Sequence, residues 1–178
     1  MEEPVIVVDY DKIWPIQYEE EKLKILNVLG DTVENIQHIG STSVPGLAAK
    51  PIIDIAIGLR QLPPSLNQIS ALEKLGYFYR GEAGIQGRHF FHKGSPISHH
   101  LHVVIWEGEV WERHLLFRDF LRTHPEAAEQ YEALKRDLAI PFRLNRERYT
   151  SSKSPLIEQL LAKARTWQQV ELYKENKR

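Results

Sequence analysis

One strand constrains the fold of this chain more than any other segment. Lys50 to Leu59 reads KPIIDIAIGL. Two-residue alternation puts Ile53, Ile55 and Ile57 on one face and Ile52, Asp54 and Ala56 on the other. A carboxylate buried among apolar groups is costly unless it is paired or metal-bound. Asp54 is therefore either part of a functional site or the partner of a cation such as Lys50 or an arginine.

The flanking segments supply the rest of a sheet and its cover. Pro4 to Val8 reads as a short strand. Trp14, Tyr18, Ile25 and Leu29 recur at helical spacing, with Pro15 suited to a first turn and Gly30 to a C-cap. Trp14 to Leu29 is thus expected to be an amphipathic helix, with Glu19, Glu20 and Glu21 on its solvated face. Val33 to Ile39 reads as the next strand. Pro63, Pro64 and Ser65 open a helix that buries Leu66, Ile69, Leu72 and Leu75 and ends at Gly76. Tyr77 to Arg80, Arg88 to His92 and Leu101 to Trp106 follow as strands, separated by glycine-rich turns.

The last third reads as helical. One helix spans Trp111 to Arg122. A second is opened by Thr123 and Glu126 at capping-box spacing and broken by Pro141, and a third starts near Pro155. Trp106, Trp111 and Trp167 are assigned to the core. The expectation is an α+β fold: a mixed sheet covered by helices, with a helical C-terminal third. A single domain over 1–178 accommodates it, the sheet within about 1–107 and the helical part within about 108–178.

Composition narrows the function classes. The formal net charge is -1, which gives no bulk attraction to nucleic acid or anionic membrane. Without cysteine there is no disulfide, thiolate metal site or cysteine nucleophile. No apolar run approaches the ~20 residues that cross a bilayer, and no signal peptide is visible. A cytoplasmic protein is expected, with no membrane or nucleic-acid partner and a protein partner left open.

Chemistry concentrates in the turn before the strand. Gly40 lets backbone approach a ligand closely, and Ser41, Thr42 and Ser43 add hydroxyls. Exposed amides at such a turn suit phosphate oxygens, Lys50 can offset their charge, and Asp54 can hold a divalent cation. The combination points to a nucleotide or another phosphorylated small molecule; the plain alternative is an ordinary turn.

HIGSTSVPGLAAKPIIDI, from His38 to Ile55, resembles the signature of the GrpB family, which is assigned to the nucleotidyltransferase superfamily. The resemblance extends through Asp11, Trp14, Leu75-Gly76-Tyr77, Gly81-Glu82, Arg88, the HHLHV run from His99, FRDFLR from Phe117, and Tyr131, Lys135, Tyr149 and Lys153. It implies a nucleotidyltransferase-type sheet. In that superfamily a Gly-Ser turn precedes two acids one residue apart, a third acid lies on a later strand, and the acids hold two magnesium ions around a triphosphate. Gly40-Ser41 matches the turn and Asp54 the first acid. Ala56 stands where the second acid belongs, so this set cannot build the two-metal cage. Related domains fused to dephospho-CoA kinase imply a helper or ligand-binding role as readily as catalysis.

Histidines occupy the strand expected to carry the third acid. His100 and His102 share one face, and His99 and Leu101 the other. With Asp54 and His38 they form a candidate metal set for magnesium, manganese or zinc, imidazole favouring the transition metals. Hydrogen-bonded histidines without metal are the alternative. Arg88 either clamps a phosphate or pairs with Glu82 or Asp54. Arg118 with Arg122, Tyr131 with Lys135, and Tyr149 with Lys153 are each four apart on a helix face. They are candidate phosphate or base ligands, or simply solvated and packing pairs.

Three functions are open at this stage. The first is nucleotide binding with metal-dependent nucleotidyl transfer, with Asp54 catalytic. The second is a non-catalytic ligand-binding or folding-assistance module. The third is a hydrolase that uses a histidine-bound metal.

Overall fold

A computed structural model describes residues 4–175. Its five strands are β1 (Asn35–Ile39), β2 (Ile53–Leu59), β3 (Tyr77–Tyr79), β4 (Arg88–Gly94) and β5 (Ile97–Ile105). They form one mixed sheet in the order β1-β2-β5-β4-β3, with β2 parallel to β5 and the other neighbours antiparallel. Five α-helices cover it: α1 (Ile13–Leu29), α2 (Leu66–Lys74), α3 (Glu109–Thr123), α4 (Pro125–Ala139) and α5 (Arg146–Glu175). The expected α+β architecture and helical C-terminal third are present.

Alternation along β2 divides the interior into two faces. Ile53, Ile55 and Ile57 join Leu101, Val103, Phe91 and Tyr77 beneath α1 and α2. On the other face Ile39, Ala56 and Val104 meet Trp111 of α3. Val44 and Leu47, from the loop between β1 and β2, lie among Phe120, Leu121, Tyr131 and Leu160 of α3, α4 and α5. Fully burying one such aliphatic or aromatic side chain is worth about 1.5–3 kcal/mol.

Several local expectations are corrected. Pro4 to Val8 forms no strand; Val8 makes only an isolated bridge to Ala49. Glu21 is buried rather than solvated, because it continues the Trp14, Tyr18, Ile25 stripe of α1. Leu66 is exposed at the start of α2, which Ser65 and Gln68 cap reciprocally. Thr123 opens no helix. Its hydroxyl donates back to the carbonyls of Asp119 and Phe120, and α4 starts instead at His124 with Pro125 in its first turn. The last helix begins nine residues before Pro155, which it contains. Among the described residues no helix is long and apolar enough to cross a membrane.

Candidate functional site

Strand register assembles the site on the face of the sheet that carries Ala56 and Val104, opposite α1 and α2. Asp54 pairs with His100, Ala56 with His102, and His102 in turn with Phe90. Paired residues share a face, so Asp54, His100 and His102 come together with Phe90 and Arg88 beside them. Gly40 leaves β1 at φ 70°, ψ -174°, a conformation that favours glycine. A Cβ there would lie 2.6 Å from Asp54 Oδ2, so the turn and the carboxylate require each other.

The hydrogen bonds fix how Asp54 is held. His100 Nδ1 lies 2.9 Å and His102 Nε2 3.2 Å from the same oxygen, Oδ1. Arg146 Nη2 lies 2.8 Å from His100 Nε2. A guanidinium only donates, so His100 Nε2 accepts and its proton sits on Nδ1, donated to Asp54. His102 donates through Nε2, which leaves its Nδ1 buried and unpartnered. Burial raises the Asp54 carboxyl, but the hydrogen bonds donated by His100 and His102 outweigh it and hold Asp54 well below the usual carboxylate range. Burial lowers His102.

Cations surround this one carboxylate. Arg146, Tyr149 and Lys153 sit at i, i+3 and i+7, one face of α5. Two ammonium groups lie over the Tyr149 ring, Lys153 Nζ at 4.5 Å and Lys50 Nζ at 5.4 Å from its centroid. Burial, then Arg146 and Lys153, brings Lys50 down to about 8. Burial, partly offset by Asp54, brings Lys153 to about 8. Arg88 lies over Phe90 and donates to the carbonyls of Glu82 and Ala83, while its Nε is buried without a partner. It forms no ion pair with Glu82 or Asp54 within 4 Å.

Other expected site residues have structural partners. His38 pairs with Ile55, so its side chain lies across the sheet from Asp54. There it stacks on Tyr18 and bonds Thr42 Oγ1 at 3.0 Å, and burial lowers it to about 4. Thr42 donates to the Ile52 carbonyl, Ser43 to the Gly40 carbonyl, and Ser41 meets the buried Tyr131 hydroxyl. Arg118 is occupied by Asp119, Gln37 and the His38 carbonyl, and Arg122 by the Ser43 carbonyl. Lys135 is buried and donates to the Ala48 carbonyl, while Glu132 accepts from the Ala48 amide at 2.8 Å. Helix α4 thereby clamps the loop that carries Lys50.

Residues 4–163 match the family described as GrpB protein. The chain belongs to the GrpB family. Glutamate-rich protein GrpB of Alkalihalophilus pseudofirmus is 33% identical over 88% of this GrpB chain and 94% of its own length. UPF0157 protein YqkA of Bacillus subtilis is 38% identical over 92% of this chain but 48% of its own length. A dephospho-CoA kinase of Mycolicibacterium paratuberculosis is 26% identical over 92% of this chain and 47% of the kinase. The chain thus spans about half the length of the last two. A crystal structure of conserved protein GrpB from Enterococcus faecalis superposes with TM-score 0.77 at 34% identity, over 89% of this chain and 98% of that one.

Two residues of this GrpB site escaped the sequence reading. Tyr149 and Lys153 are legible as one helix face, but with a helix expected to start near Pro155 that face is not extended back to Arg146. His114 lies 5.1 Å, centroid to centroid, from His102, and burial lowers it to about 3. Its position within WERHLL gives no signal of that contact.

The metal expectation can be tested on the donors themselves. The ligand atoms of Asp54, His100 and His102 lie within 4.8 Å of one another, close enough to share an ion. Their protons are already assigned, however. For His100 to offer Nδ1 to a metal, its proton must move to Nε2, where it would face an Arg146 N–H at 2.8 Å. As hydrogen-bonded here, His100 presents a proton to Asp54, so a metal at these three residues would have to displace that bond, while His102 Nδ1 keeps an unpartnered lone pair.

Proposed function

We propose that this GrpB chain binds a nucleotide or another phosphorylated small molecule beside Asp54. One observation carries the reading: Lys50, Arg88, Arg146 and Lys153 gather around a single carboxylate whose Oδ1 is already taken by two histidines. Phosphate supplies the negative charge this cluster lacks. The arginines offer planar donors to its oxygens, and the lysines offer mobile point charges. Asp54 Oδ2, beside Gly40, is the oxygen left to accept a ligand hydroxyl. The kinase relative, through its name, supports including coenzyme A among the ligands to test.

Nucleotidyl transfer to an acceptor hydroxyl or amine is the second reading. It is favoured by Asp54 lying against the Gly40-Ser41 turn, as the superfamily pattern requires. Ala56, wholly buried beside it, favours binding without turnover. A thermal-shift screen against nucleotides and coenzyme A separates the cases, since a ligand that binds only the folded state raises Tm. A shift that is lost in Lys50→Met and Lys153→Met is expected. No shift with any phosphorylated compound contradicts the proposal and turns the search to protein partners. Release of pyrophosphate from a nucleoside triphosphate, abolished in Asp54→Asn, would select the transferase.

A further inference from the structure

We infer, resting on the phosphate-binding reading, that the Asp54 site takes its anion free of any divalent cation, the protein's own four cations standing in for metal. The ligand class is then a free phosphate monoester or diphosphate rather than its magnesium complex.

Charge is the first argument. Lys50 and Lys153 lie over the Tyr149 ring, Arg146 bonds His100, and Arg88 lies over Phe90 beside His100 and His102; among the described residues neither lysine has a carboxylate within ion-pair distance. A divalent ion entering this group would add like charge where repulsion already exists. A phosphate dianion entering it relieves that repulsion.

The donor set is the second argument. A magnesium ion bridging protein to phosphate needs free carboxylate oxygens. Here Ala56 supplies none, and Asp54 keeps one oxygen clear of its histidines. Arg146 locks His100 in the tautomer that points a proton, not a lone pair, at Asp54. The third argument is the Arg88 Nε, a buried donor with no partner beside this cluster. A buried unsatisfied donor calls for an acceptor, which a metal ion is not.

Calorimetric titration with inorganic pyrophosphate, in EDTA and again with magnesium or zinc at matched ionic strength, tests this. Equal or tighter binding in EDTA is expected. Each of Lys50→Met and Lys153→Met should weaken it by about ten- to a hundredfold. Asp54→Asn should tighten pyrophosphate binding, since it removes a negative charge from beside the phosphate oxygens. A metal-bridged site would lose affinity in that variant. The Tm of each unliganded variant reports folding independently.

Pyrophosphate or nucleotide binding that requires magnesium or zinc overturns this inference while leaving the phosphate-binding reading intact. Zinc binding alone, abolished in Asp54→Asn or His102→Ala, also overturns it. Failure of pyrophosphate and every nucleotide to bind, with or without metal, removes both.

Discussion

Glu21 and Asp54 are carboxylates on opposite faces of one sheet, and their surroundings differ. Glu21, on the α1 face, receives Lys93 at 2.6 Å, the Tyr77 hydroxyl at 2.9 Å and Lys24 at 3.1 Å. Burial raises its pKa, those bonds more than reverse it, and the group is complete without a ligand. Asp54 has two imidazole donors and a surplus of cations that it cannot balance. A buried charge therefore marks a functional site when its neighbours leave a deficit, and a structural one when they cancel it.

The largest effect that separates the two belongs to Glu21. Glu21→Ala strands Lys93 and leaves the Tyr77 hydroxyl without its acceptor, for an expected loss of about 3 kcal/mol in denaturant unfolding. Variant protein that still folds should bind nucleotide as wild type does; a selective loss of binding would erase the distinction between the faces. Gly40→Ala comes next. It forces a side chain onto Asp54 Oδ2 in a glycine conformation, and a loss of about 2 kcal/mol in the same measurement is expected.

A smaller effect of opposite sign sharpens the contrast. Lys153→Met should stabilise the unliganded protein by about 1 kcal/mol, because a partly screened, unpaired ammonium is removed while the methylene stem is kept. The smallest effect is in pH. Lys50 and Lys153 lose protons near 8 in the fold and near 10.5 when unfolded. Between those values the unfolded chain binds more protons, so these two groups make stability rise with pH through that window. Above about 10 the trend reverses, since burial raises Tyr149 to about 12 and the unfolded tyrosine ionises first. Urea midpoints from pH 7 to 10 read the rise, and a decline across that range would contradict it.

Much of this was legible in the chain. Alternation along Ile53–Leu59 and across His99–His102 correctly set both faces, because strand periodicity needs no tertiary knowledge. Glu21 was misassigned by its acidic neighbours, although its spacing from Trp14, Tyr18 and Ile25 placed it on the buried stripe. His38 lay in the signature, but one step of register put it across the sheet from Asp54. Arg146 reaches His100 only because α5 starts ahead of Pro155, and no local signal overrode the expectation that proline begins the helix. The occupied state of Arg118, Arg122 and Lys135 depends on carbonyls distant in sequence, which helix spacing does not reveal.

The most direct measurement of the central claim is a pair of thermal melts, wild type against Lys50→Met/Lys153→Met, each alone and with the nucleotide that shifts wild type most. The two curves should cross: the variant melts higher alone, and wild type gains more from ligand. A variant that melts lower alone and gains as much from the nucleotide would show that these lysines serve the fold rather than a phosphate.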